Sequence, residues 1–407
     1  MIRIGLIGKT NAGKTTFFNS ATLLSAKIST YPFTTKRPNT GTAYVKSLCV
    51  CKELDIKDNP KNSACVDGWR FIPIEIIDLP GLIKGSWRGK GLGTQFLSVA
   101  SQADALLHIV DASGSVDAEG KITKPGMGNP ILDVYDIEEE LIMWFTNLVK
   151  RNSKTIEKNV KKGVSLDNTL LNLLAGLKVK YEHVKDALED IKLDDENIGK
   201  WNDENIKLFA RRIRELSKPT IIIANKMDLP YASDNYDKLV EEFKDVFVTP
   251  SCSEAELALR RAEEKGYIKY IPGEEKFEVL NKEGLTKDQI RALNYVQQRV
   301  LSKWISTGVQ FALNVCVFKL LGMNSVYPVE DSKNLSDKKG NILPDVLLIP
   351  NDADILYLAS EIHTELAKNI VYAIDARTSL RLPTDYTIKD RDIISIISAL
   401  RKSKGHK

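Results

Sequence analysis

Short, almost unbroken apolar runs recur along the chain at wide intervals. Ile2-Arg3-Ile4-Gly5-Leu6-Ile7, Phe71 to Ile77, Ala105 to Ala112 and Thr220 to Ala224 read as buried strands of an α/β fold, and Thr16 to Asn19 opens a helix after the first of them. From Ile131 to about Leu216 the period changes. Ile131, Val134, Ile137, Leu141 and Trp144 recur at three- and four-residue steps, and Leu170, Leu171, Leu173, Leu174 and Leu177 do likewise. This predicts long amphipathic helices separated by polar turns, a helical hairpin inserted into the α/β domain. A partner-binding arm and a structural embellishment both remain open for it, and the lysine run from Lys154 to Lys162 reads as a solvated face. From about Glu254 to Gln310 helical runs alternate around a polar turn near Pro272-Gly273-Glu274, as closing helices and a connector would. Val315 to Leu320 and Val346 to Pro350 then read as strands, Ile355 to Lys368 as a helix, and a last strand ends in Asp392-Ile393-Ile394-Ser395-Ile396. Strands, one helix and more strands make a small α+β domain. The expected division is 1–130 with 217–314 for the α/β domain, 131–216 for the helical insertion and 315–401 for the C-terminal domain.

Composition narrows the class only a little. At 407 residues there is room for two or three domains, and 28% charged with 43% hydrophobic residues is ordinary for a globular protein. A net charge of +4 is too small to argue for nucleic acid by itself, and no DNA partner is expected. Five cysteines with no secretory leader point to a reducing interior, and no apolar run approaches the ~20 residues of a membrane helix. Because Met1 leads straight into the first strand, a cytoplasmic protein is expected. The oligomeric state is not legible.

The chemistry begins at Gly8-Lys9-Thr10-Asn11-Ala12-Gly13-Lys14-Thr15, which fits G-x-x-x-x-G-K-[S/T] between a strand and a helix. In such a loop the backbone N–H groups of residues such as Ala12, Gly13, Thr15 and Thr16 turn toward a β-phosphate. Lys14 brings a point charge to the β and γ oxygens, and the Thr15 hydroxyl is a ligand for Mg²⁺. The polar, proline-broken stretch Ser29 to Gly41 is a first switch loop, in which Thr35, with Thr34 as runner-up, would reach Mg²⁺ and the γ-phosphate. The strand from Phe71 ends in Asp78-Leu79-Pro80-Gly81, placing an aspartate for the metal's water shell and the Gly81 N–H for the γ-phosphate. Five glycines from Gly81 to Gly93 then suit a second mobile switch.

The fourth apolar run delivers Asn225-Lys226-Met227-Asp228. An Asp228 carboxylate can accept from N1–H and the 2-amino group of guanine, whereas adenine would leave it unpaired. Asn225 can reach base and phosphate loop, the Lys226 stem can cover the ring, and the backbone of Ser251-Cys252-Ser253 can touch guanine O6. His108, flanked by apolar residues, reads as a satisfied core histidine. Cys49, Cys51 and Cys65 invite a zinc reading, but no fourth Cys and no His lies nearby, so free thiols are expected.

Taken together, Gly8 to Thr15 with Asn11 inside it, Tyr31 to Thr35, Asp78 to Gly85 and Gly89-Lys90-Gly91-Leu92-Gly93 with Phe96-Leu97 resemble the Obg superfamily of P-loop GTPases, within the YchF/Ola1 subfamily in its archaeal form. The C-terminal part, with Ala359 to His363 and Asp390 to Ile394, resembles a TGS domain. The resemblance implies a Ras-like G domain with a helical insert, a ubiquitin-like β-grasp module and association with ribosomes or RNA. It also implies a hydrophobic residue, here Leu82, where Ras-like switches place a water-orienting Gln, and an Asn11 that helps bind K⁺ beside the phosphates. Catalysis would then rest on Lys14, Asn11, Thr35, the Gly81 N–H and Mg²⁺ held by Thr15, Thr35 and Asp78. Bacterial and eukaryotic relatives typically carry N-x-x-E, which goes with ATP, while Asn225 to Asp228 implies GTP. Their histidine after the third strand has no counterpart between Gly114 and Asn129. The expected activity is slow GTP hydrolysis by a nucleotide-dependent switch. An ATPase of the same subfamily and a nucleotide-gated scaffold are the alternatives.

Overall fold

The computed structural model describes residues 1–23, 40–79, 81, 102–192 and 200–399. Thr34, Thr35, Leu82, the glycine-rich stretch through Gly93 and the expected ordering of both switch loops by triphosphate lie outside the described residues.

The apolar runs form the strands they predict. β1 (Arg3–Ile7) feeds the phosphate loop and α1 (Lys14–Thr22), after which come β2 (Thr40–Leu48), a short α2 (Val50–Glu53), β3 (Ala64–Val66), β4 (Trp69–Asp78) and β5 (Ala105–Asp111). Four helices follow: α3 (Pro130–Lys161), α4 (Leu166–Leu174), α5 (Tyr181–Ile191) and α6 (Asp203–Ser217). The first is started by Asn129, whose side chain accepts from the Ile131 and Leu132 amides while Pro130 takes the position that needs no N–H. The chain then returns through β6 (Thr220–Asn225), α7 (Ala232–Glu242), β7 (Val248–Pro250) and α8 (Ser253–Glu264). Seven strands of the described residues make one mixed sheet in the order β2-β4-β1-β5-β6-β7, with β3 on the edge of β4. β1 lies parallel to β4 and β5, β6 is parallel to β5 and β7, and β2 runs antiparallel to β4. Because parallel strands are covered on both faces, the run Ile4, Leu6, Ile7 is buried without alternation.

The insertion is more than a hairpin. Its four helices share a core of Phe145, Val149, Leu170, Leu174, Val184 and Phe209. The first turns of α3 belong to the sheet instead: Ile137 and Leu141 pack on Ile7, Ile77 and Leu79.

Beyond α8 the expected polar turn at Pro272-Gly273-Glu274 is flanked by a hairpin of β8 (Ile268–Tyr270) and β9 (Phe277–Val279) rather than by helical runs. α9 (Lys287–Tyr295) and α10 (Val309–Asn314) follow. The strand expected at Val315 to Leu320 is instead a widened continuation of α10 with i→i+5 bonding. Its Val-Cys-Val-Phe composition imitates a buried strand, but Val309, Leu313, Cys316 and Val317 are apolar at helical spacing and pack in one core with Ile4, Ile74 and Ile109. The first C-terminal strand is therefore β10 (Met323–Val329), followed by β11 (Leu347–Pro350), α11 (Ile355–Ile362), α12 (Thr364–Lys368), β12 (Ile370–Asp375), β13 (Arg381–Leu382) and β14 (Ile393–Ser398). The single helix expected over Ile355 to Lys368 is broken at His363, whose extended backbone caps the second piece. These strands form a small sheet in the order β11-β10-β14-β12-β13, in which β10 and β14 are parallel and the other pairs antiparallel. Tyr327, Val329, Leu343, Val346 and Ile393 join the core of the large sheet, so the two sheets share apolar packing.

Candidate nucleotide site

The site forms at the carboxyl ends of β1, β4, β5 and β6, where an open α/β sheet places its ligand crevice. A cavity of ≈ 450 Å³ there is lined by the phosphate loop, Asp78, Gly81 and Lys226. The loop turns sharply because Asn11 and Gly13 take positive φ, 65° and 102°. Gly13 has a second reason for lacking a side chain. A Cβ would stand 2.2 Å from Asn225 Nδ2, the group that donates to the Ala12 carbonyl at 3.0 Å.

Lys14 is buried and its ammonium donates to the Gly8 and Lys9 carbonyls at 3.0 and 2.8 Å. Those are loop carbonyls that a polyphosphate oxygen would replace as partner. Burial lowers its pKa to about 8, and the Asp78 carboxylate opposes that shift. Across the cavity the Thr15 hydroxyl donates to Asp78 Oδ2 at 2.9 Å, while Asp78 Oδ1 is buried with no hydrogen-bond partner among the described residues. A hydroxyl and an acid with an unsatisfied oxygen are a hard-oxygen donor set that fits Mg²⁺, which keeps most of its water and takes one or two protein ligands. Gly81 stands against Thr10, close enough that a Cβ would meet Thr10 Oγ1 at 2.6 Å, so its backbone faces the loop.

The base end is built from β6 and the loop before α8. Asn225 Oδ1 accepts from the Ser253 amide at 3.1 Å and the Ser253 hydroxyl at 2.9 Å, joining that loop to Ala12. Lys226 Nζ donates to Asp111 Oδ2 at 2.9 Å and Ser115 Oγ at 3.2 Å, which lays its stem along the cavity. The Asp228 carboxylate accepts from Cys252 Sγ at 3.0 Å and from the Tyr295 hydroxyl at 3.3 Å. Burial first, and then Asp228 itself, push the Cys252 thiol up, so it stays protonated and donates. Ser251 acts through its backbone, donating to the Ala224 carbonyl at 2.8 Å and accepting from the Met227 amide. Thr16 lines the phosphate end.

Sequence reasoning named Asn11 but missed four side chains, Lys9, Asp133, Asp111 and Tyr295. Lys9 is buried in an ion pair with Asp133 of α3 and donates to the Asp117 carbonyl at 2.9 Å. Asn11 Nδ2 donates to the Gly120 carbonyl at 2.9 Å. The segment after β5 thus clamps the phosphate loop from outside. Asp111 ends its strand as Asp78 does and accepts from Ser113 and Ser115, a signal the strand-final position carried. Tyr295 had none, lying 67 residues from its partner Asp228. His108 is a core histidine as expected, but it is not a satisfied one. Neither ring nitrogen has a partner among the described residues, and burial, with the Arg214 and Lys14 cations, pushes its pKa to about 3.

Residues 3–141 match the family described as 50S ribosome-binding GTPase, and residues 223–331 match that described as Obg-like GTPase YGR210-like, G4 motif-containing domain. The chain is 43% identical to a GTP-binding protein of Methanocaldococcus jannaschii over 98% of this chain and all of that one. It is 31% identical to a GTP-binding protein of Schizosaccharomyces pombe, covering 86% of this chain and 87% of the other. The crystal structure of a GTP-binding protein from Pyrococcus horikoshii superposes with a TM-score of 0.79 at 32% identity, covering 98% of this chain and 100% of that one. The protein belongs to the Obg-like GTPases, in the YGR210-like branch related to YchF and Ola1.

Proposed function

We propose that this chain binds GTP in preference to ATP, hydrolyses it slowly to GDP and phosphate, and uses the cycle as a switch on a ribosomal or RNA partner. The observation that carries the reading is the Asn225 bridge. One amide side chain ties the phosphate loop to the loop beside Asp228, so polyphosphate and guanine are read by one connected unit. Asp228 offers guanine two donor-accepting oxygens and offers adenine nothing, which supports rejection of ATP.

Thr15 and Asp78, with Thr35 from outside the described residues, would hold Mg²⁺, which when bound neutralises charge on the β and γ oxygens. The chain's own residues do the rest. Lys14 moves from the loop carbonyls to the phosphates, the Gly81 N–H faces the γ-phosphate, and Asn11, with its amide nitrogen held by Gly120, keeps its oxygen for a monovalent cation such as K⁺. With Leu82 beside Gly81, no side chain there orients water, which supports a slow intrinsic rate.

The C-terminal sheet supports a TGS-type β-grasp module, since its order and its parallel central pair are those of that fold. A Bacillus subtilis relative, 30% identical over 64% of this chain, is named a ribosome-binding ATPase, and that name with the family description supports the ribosomal partner. The absence of any helix long and apolar enough to cross a membrane among the described residues agrees with a cytoplasmic site of action. Phosphate release from GTP with and without ribosomes tests the proposal. A switch accelerates on ribosomes, whereas an unchanged rate would make the protein a scaffold.

A further inference from the structure

Three cysteines and one aspartate that no nucleotide chemistry uses converge near the amino end of β4, opposite the carboxyl end at which Asp78 meets the phosphate loop. Cys49 caps α2, Cys51 lies in its first turn, Asp58 is in the following loop and Cys65 is in β3. Their ligand atoms all lie within 4.8 Å of one another. Cys51 Sγ and Cys65 Sγ are 3.6 Å apart, and Cys49 Sγ and Asp58 Oδ2 are 3.3 Å apart. A tetrahedral ion with bonds of about 2.3 Å to sulfur and about 2.1 Å to oxygen sets its S···S edges near 3.8 Å and its S···O edges near 3.6 Å. Those two edges are within a few tenths of an ångström of these figures, and the others lie within 4.8 Å, a distance that binding of the ion would draw in.

The surroundings are built for charge. Arg70 is fully buried, pairs with Asp58 at 3.2 Å and donates to Ser63 Oγ and to the Leu343 carbonyl, while its Nε has no partner among the described residues. The Tyr327 hydroxyl is also buried without a partner there, and its ring lies 5.2 Å from the guanidinium. A buried guanidinium held on a carboxylate is the outer partner expected of a ligating aspartate. Three thiolates and a carboxylate would be prohibitive in this place without a cation, and a divalent ion with Arg70 offsets most of their charge.

We propose that Cys49, Cys51, Asp58 and Cys65 form a structural Zn²⁺ site. The fourth ligand is neither Cys nor His but a carboxylate brought in by the loop between α2 and β3. The site is closed, with four protein ligands and no position for substrate. It sits where the excursion between β2 and β4 meets the C-terminal sheet: Asn59 and Lys61 amides donate to Ile342 and Pro344 carbonyls, Asn62 pairs with Val346, and Glu53 pairs with Arg377. Zinc would fix that excursion and so fix how the C-terminal domain sits on the nucleotide domain.

The test uses the full chain, prepared with reductant and titrated with Co²⁺ as a spectroscopic probe after chelation. Thiolate-to-cobalt charge-transfer and intense tetrahedral bands should saturate at one equivalent and be displaced by Zn²⁺. Cys51→Ser and Cys65→Ser should lose them, Asp58→Asn should weaken Co²⁺ binding at least about tenfold, and Cys316→Ser should change nothing. Chelation should lower the melting temperature of the parent protein. No thiolate band in the parent protein overturns the proposal without recourse to variants, as does a Cys51–Cys65 disulfide in the reduced preparation or a band that survives both serine variants.

Discussion

Asn225 Nδ2 donates to the Ala12 carbonyl at 3.0 Å, and its own carbonyl oxygen accepts from Ser253. The strand end that carries Asp228, proposed to read the base, is thereby fastened to the loop that carries Lys14, proposed to bind the phosphates. Asn225→Ala would leave the Ala12 carbonyl and the Ser253 amide buried and unpaired, at about 1–3 kcal/mol each. GTP affinity should fall at least about tenfold, read by titration with a fluorescent guanine nucleotide. An unchanged affinity would mean the two halves of the site act independently.

Lys14 gives the site a pH signature. Burial lowers its pKa to about 8, below the ordinary lysine value of 10.5, so between those values the folded chain has lost a proton that the unfolded chain keeps. Stability of the nucleotide-free protein should therefore rise from pH 8 to 10.5 through this group and be lowest in this respect below pH 8. Nucleotide affinity runs the other way, since polyphosphate wants the charged ammonium, and should decline as pH rises above 8. Lys218, also lowered to about 8 by burial, contributes to the stability trend but not to the affinity trend. Lys14→Met, followed by denaturation and nucleotide titration across pH, should remove the affinity slope and part of the stability slope.

The buried pair of Lys9 and Asp133 pins α3 to the phosphate loop. Lys9→Met should destabilise the fold by about 3–5 kcal/mol, because it strands a buried carboxylate, while adding Asp133→Leu should recover most of the loss. Urea denaturation of the two variants separates the cost of an orphaned charge from the worth of the pair.

Monovalent cations test Asn11. Its side-chain nitrogen donates to the Gly120 carbonyl, which leaves the oxygen as the end proposed for the cation. GTP hydrolysis should run faster in KCl than in NaCl at equal ionic strength, and Asn11→Ala should erase the difference. Equal rates for the parent protein would remove Asn11 from catalysis.

The candidate nucleotide site was legible as a set of residues that converge on one cavity because they come in contiguous runs. Gly8 to Thr15, Asp78 to Gly81 and Asn225 to Asp228 need only a strand before each to arrive at one crevice. What the spacing could not show is what meets those runs from a distance. Tyr295 reaches Asp228 and Asp133 reaches Lys9 only through the fold, and neither has a local pattern. Asp58 gives no signal beside the cysteines, because a lone aspartate in a polar loop has no signature until α2 and β3 fold it back. Val315 to Leu320 reads as a strand because Val-Cys-Val-Phe is an unbroken apolar run, whereas the buried positions Cys316 and Val317 continue the helical spacing of Val309 and Leu313 and Lys319 is exposed.

The account depends most on Asp228 selecting guanine at the end of a crevice whose other end holds the phosphates. Competition of ATP and GTP against a labelled guanine nucleotide, for the parent protein and Asp228→Glu, measures it directly. ATP should compete at least about a hundredfold more weakly than GTP on the parent protein, with the gap narrowing in the variant because GTP weakens. Equal competition by the two nucleotides, or a ratio that Asp228→Glu leaves unmoved, would contradict it.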